Sequence, residues 1–497
     1  MNVLSVRGLC KRYGSFALRD VSFDVAPGSI TGFIGRNGAG KTTTLKSLLD
    51  FVHPDAGEAL FFGRPLSADE FGVKQAVGFA SGGFGFYPLK RLRTVTDVTR
   101  RFYPSWDETA YRRYLALFAL DENKRVKELS EGMKVKYALA LALSHRARLL
   151  VLDEPTSGLD PVSRDELLEI FLQLAQDEGI SILFSTHITS DLEKMRRPHR
   201  IPAAGRGGGR RRRGRAARPV PHSRTDSRAA GRCARGPAAG MQTGAGRLQR
   251  SAAGRGRAPP WRRYRARVAG GYYGTSGKGG RRPMKNLMRK ELLLAMHPAS
   301  MLFLLLSAML LIPNYPYYVI CFYTCLGTFF ICLTGRENRD IEFTALLPVR
   351  KTDLVRARVF TVMLMQLAQL VIAVPFAVFS SRVSAENLVG MDANTAFFGF
   401  ALVLYGVFNL VFFRNYYRAP GKVGKAFGWG CGALTLCMVV FEACAHTVPF
   451  VRDRLHTPDP AFLGEKLTLL AAGAALYVLL SALALRRAMH SFAALDL

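Results

Sequence analysis

The chain has 497 residues, a formal net charge of +32 and an apolar fraction of 49%, which excludes a wholly disordered protein and allows two or more domains. Such a charge indicates nucleic acid or an anionic membrane as a partner only if it is spread over a folded surface. Residues 196–283 contain 25 Lys and Arg but one acid, so they carry 24 of the 32 charges. The eight cysteines have no paired CxxC spacing, which argues against a disulfide or zinc framework. The basicity is therefore local, and it separates three zones.

The first zone, residues 1–195, is predicted to be a soluble α/β domain. Short apolar strands at Ile30–Ile34, 149–152 and 182–185 alternate with amphipathic helical stretches such as 165–176. Both signs of charge are present, as a soluble surface requires.

A glycine-rich loop follows the first of these strands. Residues 35–42 fit the pattern G-x-x-x-x-G-K-[ST], and a helix is predicted over 42–49. Glycines let backbone N–H groups close on phosphate oxygens, and a helix N-terminus favours negative charge. In this pattern the lysine reaches the β- and γ-phosphates and the threonine hydroxyl binds Mg²⁺. The predicted phosphate-binding residues are Gly35, Asn37, Gly38, Gly40, Lys41, Thr42 and Thr43.

A second candidate element is the apolar strand at 149–152, which ends in Asp153 and Glu154. The Asp153 carboxylate is expected beside Mg²⁺, and Glu154 can polarise the attacking water. Taken alone, Asp-Glu after a strand is equally typical of a helix N-cap with an acidic first turn. The preceding phosphate loop favours the catalytic interpretation.

These motifs resemble the ATP-binding domain of ABC transporters over almost the whole first zone. Residues 129–133, Leu-Ser-Glu-Gly-Met, stand where that family has its LSGGQ-type signature, and 157–160, Ser-Gly-Leu-Asp, are similar to its D-loop. His187 resembles the switch histidine, and Tyr13 the aromatic residue that stacks on adenine. The stretches 106–107 and 127–134 are similar to the subgroup found in two-gene bacterial exporters.

The resemblance implies an ATP hydrolase with ATP and Mg²⁺ as cofactors. It assigns catalysis to Glu154 and His187, metal binding to Thr42 and Asp153, and further nucleotide binding to Tyr13, Ser130, Gly132 and Asp160. It also implies that each ATP is closed between two copies, in a homodimer or a paired half-transporter, with Ser130 and Gly132 supplied by the second copy. A surface tyrosine, a strand-end histidine and a plain N-cap serine are the simpler interpretations of Tyr13, His187 and Ser130.

The sequence departs from the family at two places. Glu131 and Met133 replace a glycine and a glutamine of the signature, although Ser130 and Gly132 remain. The Q-loop glutamine should follow residues 77–81, but Gly82 stands there and Gln75 comes too early. The contact that senses Mg²⁺ and couples to a membrane partner is therefore unassigned.

The third zone, residues 284–497, resembles an ABC-2 type permease and is predicted to be an all-α membrane domain with six spans. Its apolar segments are 301–312, 317–333, 360–380, 395–413, 423–445 and 467–485; the first is short and needs its flanks or is re-entrant. Net positive charge occurs only in alternate loops, which predicts that both ends are cytoplasmic. A soluble helical bundle does not explain that alternation. We therefore expect a multi-pass protein of the cell membrane with the ATPase domain on the cytoplasmic side.

Two features of this zone are candidates for function. The charged stretch 335–340, together with 346–351, is similar to the cytoplasmic segment of that permease class that contacts the ATPase, although a plain topogenic loop has the same composition. Glu442 is the acidic residue inside a predicted span, where carboxylates are either functional or interfacial. Neither feature identifies the cargo, which stays an unknown small molecule or peptide.

The middle zone, residues 196–283, is rich in Arg, Gly, Ala and Pro and is predicted to be disordered. It is open to four interpretations: a nucleic-acid arm, a segment on anionic lipid, a plain linker, or the product of a frameshift that joined two adjacent genes. We favour the frameshift. If the arginines of 196–201 use CGN codons, translation in the frame one base later can give Ala-Asp-Arg-Ile-Ala-Phe/Tyr, which is similar to the family's usual continuation. In addition, residues 284–290 resemble the start of a permease. The ATPase domain is then truncated at its C-terminal end.

The sequence therefore favours an ATP-driven exporter with ATPase and permease on one chain. Two alternatives come from other classes: a non-transporting membrane sensor that uses ATP, and an ABC ATPase with a nucleic-acid-binding basic arm. The latter needs paired ATPase domains in one chain and no spans, so no nucleic-acid partner is expected.

Overall fold

The computed structural model describes residues 1–14, 16–81, 84–196, 242–245, 282–383, 387, 389–457 and 459–497. Gly82 and most of the zone predicted to be disordered, 196–283, lie outside the described residues. Within that zone the structure describes a strand at Gln242–Ala245 and the ends of two flanking helices.

The N-terminal domain contains two β-sheets. One sheet has the order β2-β1-β4-β5 and the other the order β6-β7-β8-β3-β9. In the second sheet β6, β7, β8 and β3 are parallel, so their carboxyl ends meet at one edge, and β9 adds to β3 in the antiparallel sense. The strands are β1 (Leu4–Tyr13), β2 (Phe16–Val25), β3 (Ile30–Ile34), β4 (Ala56–Phe61), β5 (Arg64–Pro65), β6 (Val77–Ser81), β7 (Leu149–Asp153), β8 (Ser181–Thr186) and β9 (Gln242–Ala245).

Helices cover the parallel sheet and form a separate helical subdomain between β6 and β7. Asp107, Ser130 and Asp160 are the N-caps of three of them, each accepting a hydrogen bond from a backbone N–H of the first turn. The helices are α1 (Lys41–Leu48), α2 (Glu70–Ala76), α3 (Leu92–Thr99), α4 (Glu108–Leu117), α5 (Glu131–Ser144), α6 (Pro161–Asp177) and α7 (Thr189–Arg196). Strands β7 and β8 are buried along their whole length, so the fold class predicted for this zone is the one observed.

The C-terminal domain is helical. Among the described residues, five helices are long and apolar enough to cross a membrane, or six if one bent pair counts as a span. The helices are α8 (Arg282–Lys290), α9 (Pro298–Leu302), α10 (Val319–Glu337), α11 (Asp340–Leu346), α12 (Lys351–Val383), α13 (Thr395–Tyr416), α14 (Val423–Thr447) and α15 (Leu463–Ala493).

The first predicted span is the irregular one. Its residues form α9 and the 3-10 segment Phe303–Leu311, and this part is bent by 100° from the helical segment Pro283–Ala295. The sequence anticipated this irregularity, because the apolar run is too short to cross hydrocarbon without its flanks.

Helices α13 and α15 pack most closely. A Cβ at Gly473 would lie 2.3 Å from the Gly399 carbonyl oxygen, so only glycine permits this approach. Nearby, a buried polar layer joins three helices: Asn409 and Gln366 exchange side-chain hydrogen bonds of 2.9 and 3.0 Å, and the Tyr477 hydroxyl donates to Gln366 at 2.9 Å. The layer ties α12, α13 and α15 together at the middle of the bundle.

Candidate functional site

The phosphate loop lies between β3 and α1, at the carboxyl edge of the parallel sheet. Gly38 and Gly40 have φ angles of +82° and +95°, which glycine adopts without strain. Helix α1 begins at Lys41, one residue earlier than predicted, with Gly40 as its N-cap. The first-turn N–H groups of α1 therefore point into the loop, where they favour an anion.

Lys41 is buried within this loop. Its ammonium donates to the Gly35 carbonyl oxygen at 2.7 Å and the Arg36 carbonyl oxygen at 3.3 Å, and lies 3.1 Å from Glu154 Oε1. A phosphate entering the loop would compete with the two carbonyls for this ammonium. The lysine predicted from the phosphate-loop motif and the carboxylate predicted after the strand at 149–152 are thus in direct contact.

Asp153 and Glu154 stand at the end of β7, and Ser185 of the neighbouring β8 fixes both. The Ser185 hydroxyl donates to Asp153 Oδ1 at 2.6 Å, and the Glu154 N–H donates to the Ser185 oxygen at 2.9 Å. Glu154 has a φ of +48°, a strained left-handed conformation that turns its side chain out of the strand direction. His187 Nδ1 lies 3.3 Å from Glu154 Oε2. The structure therefore brings Lys41, Glu154 and His187 together.

One residue that sequence reasoning missed organises this edge. The Asp191 carboxylate is buried, accepts hydrogen bonds from the Thr156 and Thr186 hydroxyls at 2.8 and 3.0 Å, and pairs with Arg164 at 2.7 Å. It thereby connects the turn after Glu154 to the end of β8, one residue before His187. The sequence signal was an acid four residues after His187 in a helical first turn, which by itself is typical of a solvated helix start.

The signature and D-loop residues form a second group. Ser130 caps α5 by accepting from the Met133 N–H at 3.3 Å, and a Cβ at Gly132 would lie 3.6 Å from Leu159 of the D-loop. Asp160 caps α6, and hydrogen bonds, first from Ser163 and then from the Val162 N–H, hold the pKa of its exposed carboxyl below its usual value. The signature residues thus pack against the D-loop of the same chain.

The remaining predicted residues lie on the surface of the domain. Tyr13 is at the end of β1, partly exposed, with the Lys11 ammonium 5.4 Å from its ring centre. Thr42 is exposed and Thr43 half-buried in the first turn of α1. Gln75, considered for the Q-loop, donates to the Phe102 carbonyl oxygen at 2.7 Å and so is engaged away from the phosphate loop.

Mg²⁺ prefers oxygen ligands and keeps several waters, binding proteins through one or two side chains plus substrate phosphates. The Thr42 hydroxyl and the Asp153 carboxylate fit that donor set. Among the described residues there is no group of three His, Cys, Asp or Glu side chains that could hold a metal by itself.

Comparison with known proteins identifies this domain. Residues 18–157 match the family model of the ABC transporter. The chain is 34% identical over 194 residues to the ABC transporter ATP-binding protein YtrB of Bacillus subtilis (strain 168), covering 39% of this chain and 66% of that protein. The N-terminal domain is an ABC ATPase domain.

Two further relatives carry transport in their names. The bacitracin transport ATP-binding protein BcrA of Bacillus licheniformis is 34% identical over 196 residues, 39% of this chain and 64% of BcrA. The Nod factor export ATP-binding protein I of Burkholderia orbicola (strain AU 1054) is 38% identical over 198 residues, 39% of this chain and 65% of that protein. The chain thus spans slightly less than two thirds of the length of each of these relatives.

The ABC ATPase domain contacts the helical domain through α11, which lies within the charged stretch considered for coupling. Phe343 of α11 is buried against the rings of Phe86 and Tyr87, at centroid distances of 5.5 and 5.1 Å. Leu347 and Val349, directly after α11, belong to the same hydrophobic core as β7 and α5. At the edge, Lys74 Nζ donates to the Val349 carbonyl oxygen at 3.3 Å.

A buried ionic cluster lies beneath α11. Asp340 pairs with Lys290 and, at 2.5 Å, with Arg358, which in turn pairs with Glu291. Tyr87 of the ABC ATPase domain donates its hydroxyl to Asp340. Burial alone would raise the pKa of the Asp340 carboxyl, but the Lys290 and Arg358 cations hold it below its usual value. The acid therefore stays ionised where the two domains meet.

Two other features of the helical domain bear on predicted roles. Glu442 in α14 accepts a hydrogen bond from the Met391 N–H at 2.8 Å, so it anchors the loop before α13. Beyond α15, Asp496 pairs with Lys11 at 2.8 Å and accepts from the His53 N–H at 2.8 Å. The segment after the last helix is thus a second attachment to the ABC ATPase domain, which the sequence did not reveal.

Proposed function

We propose that the protein is an ATP-driven membrane transporter in which the ABC ATPase domain hydrolyses ATP and the helical domain exports a cargo. The observation that carries this proposal is the insertion of α11 into a groove of the ATPase domain, with Phe343 at its centre. A helix that is buried in the ATPase and leads directly into α12, a candidate span, transmits movement from one domain to the other.

Glu154 and Lys41 are proposed to carry the chemistry. Glu154 orients and polarises the attacking water, and Lys41 neutralises the charge that develops on the β- and γ-phosphates. His187 is proposed to hold that carboxylate and to contact the γ-phosphate, and its Nδ1 atom, 3.3 Å from Glu154 Oε2, supports the first of these roles. Thr42 and Asp153 would hold Mg²⁺, which would supply further neutralisation of the phosphates.

We also propose that ATP is closed between two copies of the ATPase domain. The packing of Gly132 on Leu159 supports this, because it holds the signature helix against the D-loop of its own chain. Ser130 and the N-terminus of α5 are then available to bind a γ-phosphate held by the phosphate loop of a second copy.

The hydrolysis proposal is tested with the full chain in lipid nanodiscs. Wild type should hydrolyse Mg-ATP, Glu154→Gln should bind ATP and accumulate as a nucleotide-closed dimer, and Lys41→Ala should lose binding. The matched control is Glu166→Gln, because Glu166 is an exposed carboxylate on α6 that pairs with Lys136 at 2.9 Å. Equal hydrolysis by wild type and Glu154→Gln would refute the assignment.

The cargo and direction are tested in inverted vesicles. The names of the relatives point to peptide antibiotics such as bacitracin as a first cargo to try. ATP-dependent accumulation inside the vesicles supports export. Stimulation of ATP hydrolysis by bacitracin without its accumulation favours the alternative of a membrane sensor. If the ATPase is active but bacitracin neither stimulates hydrolysis nor accumulates, bacitracin is excluded as the cargo.

For the basic zone we retain the proposal that 196–283 results from a frameshift joining an ATPase gene and a permease gene. Support comes from its composition, because its 25 Lys and Arg stand against one acid while the flanking zones carry both signs of charge. DNA sequencing tests it: a single-base change near codon 196 should open a longer ATPase frame. If no such change exists across this stretch, the proposal is wrong.

A further inference from the structure

A cavity of about 890 Å³ lies between α12, α13 and α15. This volume is in the range of sites for small organic ligands, about 300–1,000 Å³. Along α12 the cavity extends from Leu367 to Ser380, which at 1.5 Å per residue corresponds to about 20 Å, or roughly two thirds of a hydrocarbon core. Its length therefore suits an aliphatic chain.

The walls of the cavity are apolar. Val371 and Val374 of α12 face Phe398 and Leu402 of α13 and Leu470 of α15 across it. Its lipid-facing side is open, because the Val371 and Val374 side chains are 70% and 48% exposed. An apolar chain could therefore enter laterally from the bilayer.

One end of the cavity is polar and carries both signs of charge. It lies where α12 ends and where α13 and α15 begin. This is the end of the three helices opposite α11. With α11 on the cytoplasmic side, the polar end therefore lies at the opposite, extracytoplasmic face of the membrane. Lys466, Asp392 and Asp459 line this end. It thus offers a cation and two anions to a head group.

Lys466 is the cation at this end, and its side chain is only 4% exposed. Its ammonium donates to the Thr457 carbonyl oxygen and, at 3.1 Å, to that of Asp459. An ammonium has three N–H donors, and no third protein acceptor is found for Lys466 among the described residues. An anionic group in the cavity would accept from the third N–H.

Two carboxylates lie at this end. Asp392 Oδ1 accepts a hydrogen bond from the Asn387 N–H at 2.9 Å, and the Asp392 N–H donates to His456 Nδ1 at 3.2 Å. Asp459 is exposed at the rim, and its Oδ1 accepts from the Ala461 N–H at 2.8 Å. An ammonium group at the rim would pair with either carboxylate.

We propose that this cavity binds a zwitterionic amphiphile of the outer leaflet, such as a lysophospholipid, with its chain between α12 and α15. The phosphate accepts from Lys466, and the ammonium group pairs with Asp459 or Asp392. The inference rests on the proposed function only in placing the helical domain in a membrane, because binding here requires no ATP.

The test is photolabelling of the full chain in nanodiscs without nucleotide, using a diazirine-bearing lysophosphatidylethanolamine. Val374→Trp fills the cavity from its open side and should lower labelling of α12 and α15 about tenfold, which corresponds to about 1.4 kcal/mol of lost binding free energy. The matched control is Val440→Trp, because Val440 lies on α14, is 47% exposed and does not line the cavity.

The head-group assignment is tested with Lys466→Gln and two further probes of equal chain length. Loss of a charge-assisted hydrogen bond should lower labelling by the zwitterionic probe about tenfold and leave that by an alkyl-trimethylammonium probe unchanged. Lysophosphatidic acid, which lacks the ammonium group, should label wild type more weakly than the zwitterion.

Three results would overturn the proposal. Equal labelling of Val374→Trp and Val440→Trp would mean that the probe reports only general contact with lipid. Stronger labelling by the cationic probe than by the zwitterion would reassign the head group. Absence of labelling in wild type, with Val374→Trp changing the oligomeric state, would mean that a second copy covers this face. Labelling of Glu154→Gln equal to wild type would separate this site from ATP hydrolysis and leave the proposal intact.

Discussion

Replacing Phe343 with alanine should loosen α11 from the ABC ATPase domain. The ring is 3% exposed and contacts the rings of Phe86 and Tyr87 at centroid distances of 5.5 and 5.1 Å, the latter edge-on at 83°. Truncating a buried phenylalanine to alanine costs about 3–5 kcal/mol. Because this ring is the aromatic side chain of α11 that enters the ATPase core, we expect most of that cost to appear in the free energy of detaching α11.

The assay is hydrogen–deuterium exchange of the full chain in nanodiscs. A loss of about 3 kcal/mol corresponds to roughly 150-fold faster exchange of the α11 amides. Phe343→Leu should fall between wild type and alanine, since it keeps much of the apolar contact. Phe360→Ala is the matched control, because Phe360 is 41% exposed on α12.

Hydrolysis of ATP provides the second measurement. Phe343 lies outside the nucleotide site, so basal hydrolysis should persist in Phe343→Ala, whereas any stimulation by cargo should disappear. Unchanged exchange of α11 in Phe343→Ala, or exchange as fast in Phe360→Ala, would refute the reasoning that this ring holds the domains together.

Three further predictions concern other contacts. Burial lowers the pKa of His145 to about 4 from 6.5, so between these pH values the unfolded chain binds a proton that the native state does not. The free energy of unfolding should therefore fall by about 3 kcal/mol as the pH drops from 6.5 to 4. His145→Phe should flatten this pH dependence in thermal unfolding. Asp191→Asn should lower kcat more than tenfold, because breaking a buried ion pair costs about 3–5 kcal/mol and here loosens both the turn after Glu154 and the end of β8 next to His187. Asp496→Asn should speed amide exchange in the strand of Lys11 only a few-fold, since a partly exposed pair contributes about 1 kcal/mol.

The two aspartate substitutions each have a control of the same type. Asp165→Asn removes an exposed carboxylate of α6 that pairs with Lys194, and it should leave kcat unchanged. Asp24→Asn removes an exposed partner of Arg7 and should not alter exchange near Lys11. If the stability of His145→Phe depends on pH as that of wild type does, the first prediction is wrong. If kcat is equal in Asp191→Asn and Asp165→Asn, the second prediction is wrong.

The nucleotide-binding elements could be predicted from sequence because their information is local. The phosphate loop needs glycine conformations, one lysine and one threonine within eight residues, and the strand before it is a continuous apolar run. The predicted strand Ile30–Ile34 coincides with β3, and the predicted strands before Glu154 and His187 lie within one residue of β7 and β8 at each end. Those three strands carry Lys41, Glu154 and His187 to a common edge because parallel strands end on the same side.

The residues that hold this edge in place could not be predicted. In the sequence, Ser185 is typical of a strand residue and Asp191 of a helix start. In the structure, the Ser185 hydroxyl donates to Asp153 on the neighbouring strand, and Asp191 contacts Thr156 and Arg164. Such pairs depend on which side chains the sheet order places side by side. A pattern along the chain has no information on that order.

The helical domain divides in the same way. Apolar runs determined that its segments are helices of spanning length, but the predicted ends omitted Arg358 and Lys466, because charged residues interrupt hydropathy even where the helix continues. Only the tertiary structure gives these charges a role. Arg358 pairs with Glu291 and Asp340, which lie 67 and 18 residues before it in the chain, and Lys466 lines a cavity between three helices. The sequence by itself determined the two kinds of domain and the phosphate chemistry. Tertiary packing alone decided how the domains meet, since a buried charge is stable only where its partners converge.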